Sequence, residues 1–178
     1  IFLSDTTITD IDCNGDGDGS INITVSGGIG PYTFNWTTSD GSGLVPTDED
    51  QTGLTGGTYD LTVQDGNGCT KDFSLDVNEP QVLQVTVTPT DITCYGEADG
   101  QAPADVTGGT GNYTYTWSDG QTAAIAVNLG PGDYTVTVTD ENNCSDVVVA
   151  AIDEPDSIST DPDITLETCP GTNDGAII

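Results

Sequence analysis

Gly132-Asp133-Tyr134-Thr135-Val136-Thr137-Val138-Thr139-Asp140 alternates apolar and polar side chains with a period of two and ends on a turn residue. This is the pattern of a half-buried β-strand, with Tyr134, Val136 and Val138 on one face and Thr135, Thr137 and Thr139 on the other. The phrase stands 75 residues earlier as Gly57-Thr58-Tyr59-Asp60-Leu61-Thr62-Val63-Gln64-Asp65. It therefore marks an internal repeat.

Working outward, Cys13-Asn14-Gly15-Asp16-Gly17-Asp18-Gly19 returns at Cys94 to Gly100 and again at Cys169 to Gly175, with the skeleton Cys-x-Gly-x-x-Asp-Gly. Gly27 to Trp36 matches Gly108 to Trp117, Cys69 matches Cys144, and Glu79-Pro80 matches Glu154-Pro155. The spacing is 81 residues up to the Trp and 75 after it, which places six extra residues in the acidic loop Asp40 to Gly53. Such an insertion marks a surface loop. The chain divides into a first unit, 1–80, with 1–7 as a leading strand or linker, a second, 81–155, and the start of a third, 156–178. It reads as a piece of something longer.

Every strong signal within a unit is β. Ile21, Ile23 and Val25, then Tyr32, Phe34 and Trp36, then Phe73, Leu75 and Val77 alternate with polar residues, and Gly, Asn, Asp or Pro bound each run. No helical period is present. Several short strands in about 75 residues predict a small antiparallel β-sandwich. A Trp in a central strand and a Tyr placed like a tyrosine corner favour an immunoglobulin-like version. The expected architecture is all-β, a tandem array of such sandwiches, with Trp36, Tyr59, Trp117 and Tyr134 in the cores. Ala102, Pro103 and Ala104 replace Ile21, Asn22 and Ile23 in the second unit. Proline removes a ladder donor, so that strand is expected at an edge or bulged.

Each complete unit has one Cys before its first core strand and one after its Tyr strand. That suggests bridges Cys13 to Cys69 and Cys94 to Cys144, with Cys169 awaiting a partner. Closing a loop of this size stabilises a small domain by roughly 4 kcal/mol in the chain-entropy model. Cysteines without His, outside metal spacing, point to an oxidising extracellular compartment. Reduced buried thiols are the rival reading.

Thirty acidic residues stand against one basic residue, Lys71, with no His, for a net charge of −29. A nucleic acid or an anionic membrane needs Lys or Arg contacts that this chain cannot supply. No apolar run approaches the roughly 20 residues of a membrane helix. The charge reads first as a solvated surface.

Taken in order, Cys-x-Gly-x-x-Asp-Gly, Gly-Gly-x-Gly-x-Tyr-x-Tyr/Phe-x-Trp, Gly-x-Tyr-x-Val-x-Val-x-Asp and the closing Cys resemble the SprB repeat, a module of very large cell-surface adhesins of gliding Bacteroidetes. The resemblance implies an outer-surface filament or stalk, type IX export and, in the best-known member, gliding motility. Asp5-Thr6-Thr7 and Asp156-Ser157-Ile158 resemble Bacteroidetes O-glycosylation sites, which would modify Thr6 and Ser157.

Asp12, Asn14, Asp16 and Asp18 offer alternate oxygen ligands followed by Gly19, like the front of a calcium loop. The segments at Cys94 and Cys169 keep fewer acids, and a turn in which Asp bonds backbone and Gly takes positive φ explains the recurrence more economically. Asp65 or Asp140 with Glu79 or Glu154 is a second candidate ion site, at the unit junctions. Calcium is the one cofactor considered. Serine or cysteine triads are closed to a chain without His, and no carboxylate pair stands out, so no enzyme is expected. The reading is a stalk that presents adhesive elements, its partners being neighbouring repeats. Alternatives are a polysaccharide- or protein-binding module acting through Asp40 to Gly53, and a self-assembling filament subunit.

Overall fold

The computed structural model describes residues 1–158 and, beyond them, only the backbone of two short strands. Six strands build each unit. In the first, β1 (Phe2–Thr9), β2 (Gly19–Ser26) and β4 (Gln51–Leu54) make one sheet, and β3 (Thr33–Thr38), β5 (Gly57–Gln64) and β6 (Thr70–Val77) the other. In the second, β7 (Gln84–Val87), β8 (Gly100–Thr107) and β10 (Ile125–Leu129) face β9 (Thr114–Trp117), β11 (Gly132–Thr139) and β12 (Ser145–Ile152). All pairings are antiparallel. A final pair, β13 (Ile164–Thr165) and β14 (Ala176–Ile177), follows. Cys169 and the rest of the third motif lie outside the described residues.

The first, second and fifth connected strands of the immunoglobulin fold lie in one sheet and its third, sixth and seventh in the other. Both units have that order without the fourth strand. The alternation read from the sequence is the alternation of burial: Ile21, Ile23 and Val25 are inside, as are Leu61 and Val63, while Val136 and Val138 fill the same places in the second unit. Two separate cores result. One gathers Ile21, Leu54, Trp36 and Tyr59, the other Ala102, Leu129, Trp117 and Val136, and no residue belongs to both.

The tyrosine corner is present twice. The Tyr59 hydroxyl lies 2.7 Å from the Thr55 carbonyl, and that of Tyr134 lies 3.3 Å from the Gly130 carbonyl. The two are not equal in burial. Tyr59 is fully buried, whereas Tyr134 is only half-buried. The six extra residues account for the difference, because the loop after β3 folds over Tyr59, accepting at the Ser42 carbonyl and donating from the Ser42 N–H. Gln51, itself buried, pins this loop through Val45 and Asp48.

Pro103 corrects an expectation. Its strand, β8, is the middle strand of its sheet rather than an edge. The Pro103 carbonyl accepts from the Thr88 N–H at 3.4 Å, so its nitrogen also faces β7. There the ladder is interrupted: β7 stops at Val87, and pairing resumes only at the Thr90 to Gln101 bridge. The register between β8 and β10 also shifts between Ala126 and Leu129. The missing donor is absorbed by breaking the neighbour, whereas β1 in the first unit stays in register from Asp5 to Thr9, past Asn22.

Replacing Tyr59 with Phe removes a buried hydroxyl that bonds Ser42 and Thr55 and should cost about 1–3 kcal/mol in chemical unfolding of the first unit. Tyr134→Phe, at a half-buried hydroxyl with one long bond, should cost less than about 1 kcal/mol.

Candidate functional site

An antiparallel strand carries the chain from one end of a sandwich to the other. Cys13 precedes β2 and lies at the end where β6 finishes, shown by the Ile11 N–H donating to the Asn78 carbonyl at 2.9 Å. Cys69 follows β5 and lies at the opposite end, where the Gly66 N–H donates to the Ile29 carbonyl at 2.6 Å. Eight-residue strands separate the two by roughly 25 Å at about 3.3 Å per residue. They cannot meet. The bridge instead joins Cys13 to Cys144 of the second unit, with an S–S distance of 2.03 Å and Cα atoms 5.6 Å apart. The expected pairs Cys13 with Cys69 and Cys94 with Cys144 are both replaced. Cys69 and Cys94 are exposed and, among the described residues, carry no bridge.

The Cys13 side of this joint is a loop held from three directions. Gly15 turns at a φ of 88° and donates its N–H to Glu79 Oε1 at 2.6 Å. Asp18 Oδ1 accepts from the Asp12 N–H, and Asp10 Oδ1 from the Asn78 N–H at 2.8 Å. Gly19 does not take positive φ, contrary to the turn reading. A Cβ there would lie 2.8 Å from Val77 Cγ1 and 2.9 Å from the Leu54 carbonyl, so close packing requires the glycine. The positive-φ glycine is Gly15.

The Cys144 side is a turn closed on one carboxylate. Asp140 is buried; its Oδ1 accepts from the Asn142 and Cys144 N–H groups, each at 2.9 Å, and its Oδ2 accepts from the Thr110 N–H at 2.8 Å. Asn142 then reaches across, donating Nδ2–H to the Asp12 carbonyl at 2.9 Å. Asn14 donates to the Pro80 carbonyl at 2.9 Å, tying the linker under the loop. Val82 and Leu83 complete the surface around the bridge.

Of the four calcium candidates, Asn14 and Asp18 make the linker and loop hydrogen bonds just described, and among the described residues no three His, Cys, Asp or Glu side chains form a group that could hold a metal ion. Asp65 and Asp140 close turns at one end of each unit and Glu79 and Glu154 brace loops at the other, so across the joint the Asp140 turn of the second unit faces the Glu79 loop of the first. Thr6 lies within β1 and Ser157 after β12, both exposed. The residues that the sequence reading missed are Asn142 and the bracing role of Glu79. Their recurrence as Asn67 and Glu154 was the available signal.

The geometry can be set beside known proteins. Residues 6–41 and 86–122 match the family model of the SprB repeat. The SprB repeat is thus matched once in each sandwich. Both matches begin in or near the first strand of a unit and extend past its Trp. No curated protein matches the sequence. Among solved structures, the C-terminal 282-residue fragment of intimin, crystallised with the intimin-binding domain of the translocated intimin receptor, is similar at a TM-score of 0.50 and 16% identity. That likeness covers 85% of this chain and 64% of the fragment, so the chain spans less than two thirds of its length. It bears on the fold, an immunoglobulin-like tandem. The N-terminal eight Ig domains of Down Syndrome Cell Adhesion Molecule are similar at a TM-score of 0.47 and 13% identity, covering 87% of this chain and 25% of that one. No helix among the described residues is long and apolar enough to cross a membrane.

Asp65 closes the first unit's turn as Asp140 closes the second's. Burial disfavours its charge, but the N–H groups of Cys69, Ile29 and Asn67 outweigh that and hold its carboxyl below the usual aspartate range. A lowered folded-state pKa means the carboxylate contributes full stability above the unfolded value, about 3.9. That contribution is lost as pH falls through the folded value. Asp65→Asn should therefore destabilise the chain at neutral pH, with the deficit shrinking below about pH 4 in acid-unfolding curves.

Proposed function

We propose that this chain is a load-bearing segment of an extracellular, adhesin-type repeat protein, a stalk that holds adhesive elements away from a cell surface. The observation that carries the reading is the Cys13–Cys144 bridge, which fastens the end of one unit to the start of the next. Force applied at the ends of the chain crosses the sulfurs and bypasses the residues between them. The SprB-repeat match supports a cell-surface setting. Motility and type IX export rest on the family resemblance and concern the whole protein.

The loop Asp40 to Gly53, the candidate ligand-binding element, is drawn into its own sandwich. The Trp36 N–H donates to the Pro46 carbonyl at 2.9 Å and the Trp36 ring Nε1–H to the Asp48 carbonyl at 2.9 Å. Such a loop covers a core, which favours a spacer over a glycan-binding module. The acidic loop at Cys13 acts as a braced turn. Calorimetric melting with calcium and with a chelator should coincide, and a calcium-dependent rise in Tm would give that loop to an ion.

Pulling on the chain by its ends tests the load path. An extended residue spans roughly 3.3–3.6 Å, and the bridge bypasses a separation of 131 residues, so the oxidised chain should extend roughly 450 Å less than the reduced one. Equal extension in the two states would refute the load-bearing reading.

A further inference from the structure

The joint is closed once, yet both of its halves occur twice. The loop around Cys94 repeats three braces of the Cys13 loop, with Tyr95 in the place of Asn14. Gly96 turns at a φ of 82° and donates to Glu154 Oε1 at 2.6 Å, Asp99 Oδ1 accepts from the Thr93 N–H at 3.0 Å, and Asp91 Oδ1 accepts from the Asp153 N–H at 3.0 Å. The turn at Cys69 repeats the Cys144 turn in the same way: Asp65 Oδ1 accepts from the Asn67 N–H at 3.0 Å and the Cys69 N–H at 2.9 Å, and Oδ2 from the Ile29 N–H at 3.2 Å. Among the described residues each half is built without a partner. Each presents an exposed thiol.

The surface around Cys94 is unfinished in a specific sense. Thr93, Tyr95, Pro155 and Ile158 line a groove beside it, with Tyr95 62% and Ile158 96% exposed. Ile158 stands 75 residues after Leu83, which is 9% exposed and packs over Gly109 inside the second unit. Ile158 is thus the residue that a following sandwich would bury. The Thr93 carbonyl is the counterpart of the Asp12 carbonyl that receives Asn142. On the outer turn, Asn67 is the counterpart of Asn142.

We infer that the bridge recurs at every joint: Cys94 pairs with the turn cysteine of a following unit, and Cys69 with the loop cysteine of a preceding one. The occupant of each face is another unit of this repeat. Because Cys94 lies inside the Cys13–Cys144 span, successive bridges overlap along the chain. The covalent path then steps from unit to unit through sulfur, a ladder in which no unit can be drawn out alone. Each bridge forms by thiol–disulfide exchange, two thiols giving two electrons and two protons to a small-molecule or enzyme disulfide that is reduced to two thiols. The inference rests on the stalk reading and extends it.

A three-unit chain tests it: residues 1–155 followed by a second copy of 81–155, the copy marked by Ser145→Thr. Folded in a glutathione buffer and mapped without reduction, it should hold two free thiols, at Cys69 and the copied Cys94, and a peptide linking Cys94 to the copied Cys144. Four free thiols with Cys13–Cys144 intact overturn the ladder alone, while loss of Cys13–Cys144 overturns the stalk reading as well. Should that chain not fold, copies of the 178-residue chain carrying Cys169→Ser are oxidised together. Preferential Cys94 to Cys69 links between molecules support the inference, and a statistical mixture with Cys94–Cys94 and Cys69–Cys69 links overturns it.

Discussion

Every strand in these sandwiches delivers the chain to the far end of its unit, and that constraint decides which sulfurs can meet. Cys13 and Cys69 flank an arrangement of strands that leaves them at opposite ends, so no rotamer change could join them. A bridge needs Cα atoms within about 7 Å. Among the described residues only the neighbouring unit brings a cysteine that near, and the fold of each unit therefore hands its sulfur chemistry to the joint. In immunoglobulin domains with an internal bridge, the sulfurs sit mid-strand and face each other across the core. Here the place two residues beyond the corner tyrosine is Leu61 or Val136, both buried, and the core closes without sulfur.

This is also where the sequence was legible and where it was not. Strand identity, the inward face, the Trp and the corner tyrosine could be read because each depends on local period or on a contact a few residues away. The pairing of cysteines depends on which end of the sandwich each occupies, which is a property of topology. Counting units while ignoring the direction of each strand makes the intra-unit pair look natural. The edge expected from Pro103 gives way to a middle strand with irregular pairing for a related reason. The proline's missing N–H is real, but a sheet can absorb it by interrupting the adjacent strand, and that neighbour was invisible to a reading of β8 alone. Gly19 was assigned to backbone freedom when the demand is for space between Val77 and Leu54.

The acidic excess takes on structure in the same places. Asp10, Asp18, Asp65, Asp99 and Asp140 each accept backbone N–H groups in turns, so a good part of the carboxylate inventory substitutes for ladder partners that loops lack. No buried side-chain nitrogen or oxygen among the described residues is left without a partner. These acids recur because the turns recur. The lone cation, Lys71, lies on β6 opposite Val63 rather than in the cleft at the joint.

The acids of that cleft, Asp10, Asp12 and Glu79, all belong to the first unit and face Thr110 and Asn142 of the second, so its lining offers no opposite charge to draw the two units together. Separate cores and a polar contact ordinarily leave neighbouring domains free to move. The hydrogen bond from Asn142 to the Asp12 carbonyl is solvent-exposed and worth about 1 kcal/mol, too little to hold two charged sandwiches in one pose against thermal motion and load. A covalent bond is indifferent to both charge and tension. Placing it at the joint, rather than inside a core already closed by Trp and Tyr, puts the strongest link at the point where noncovalent packing is weakest.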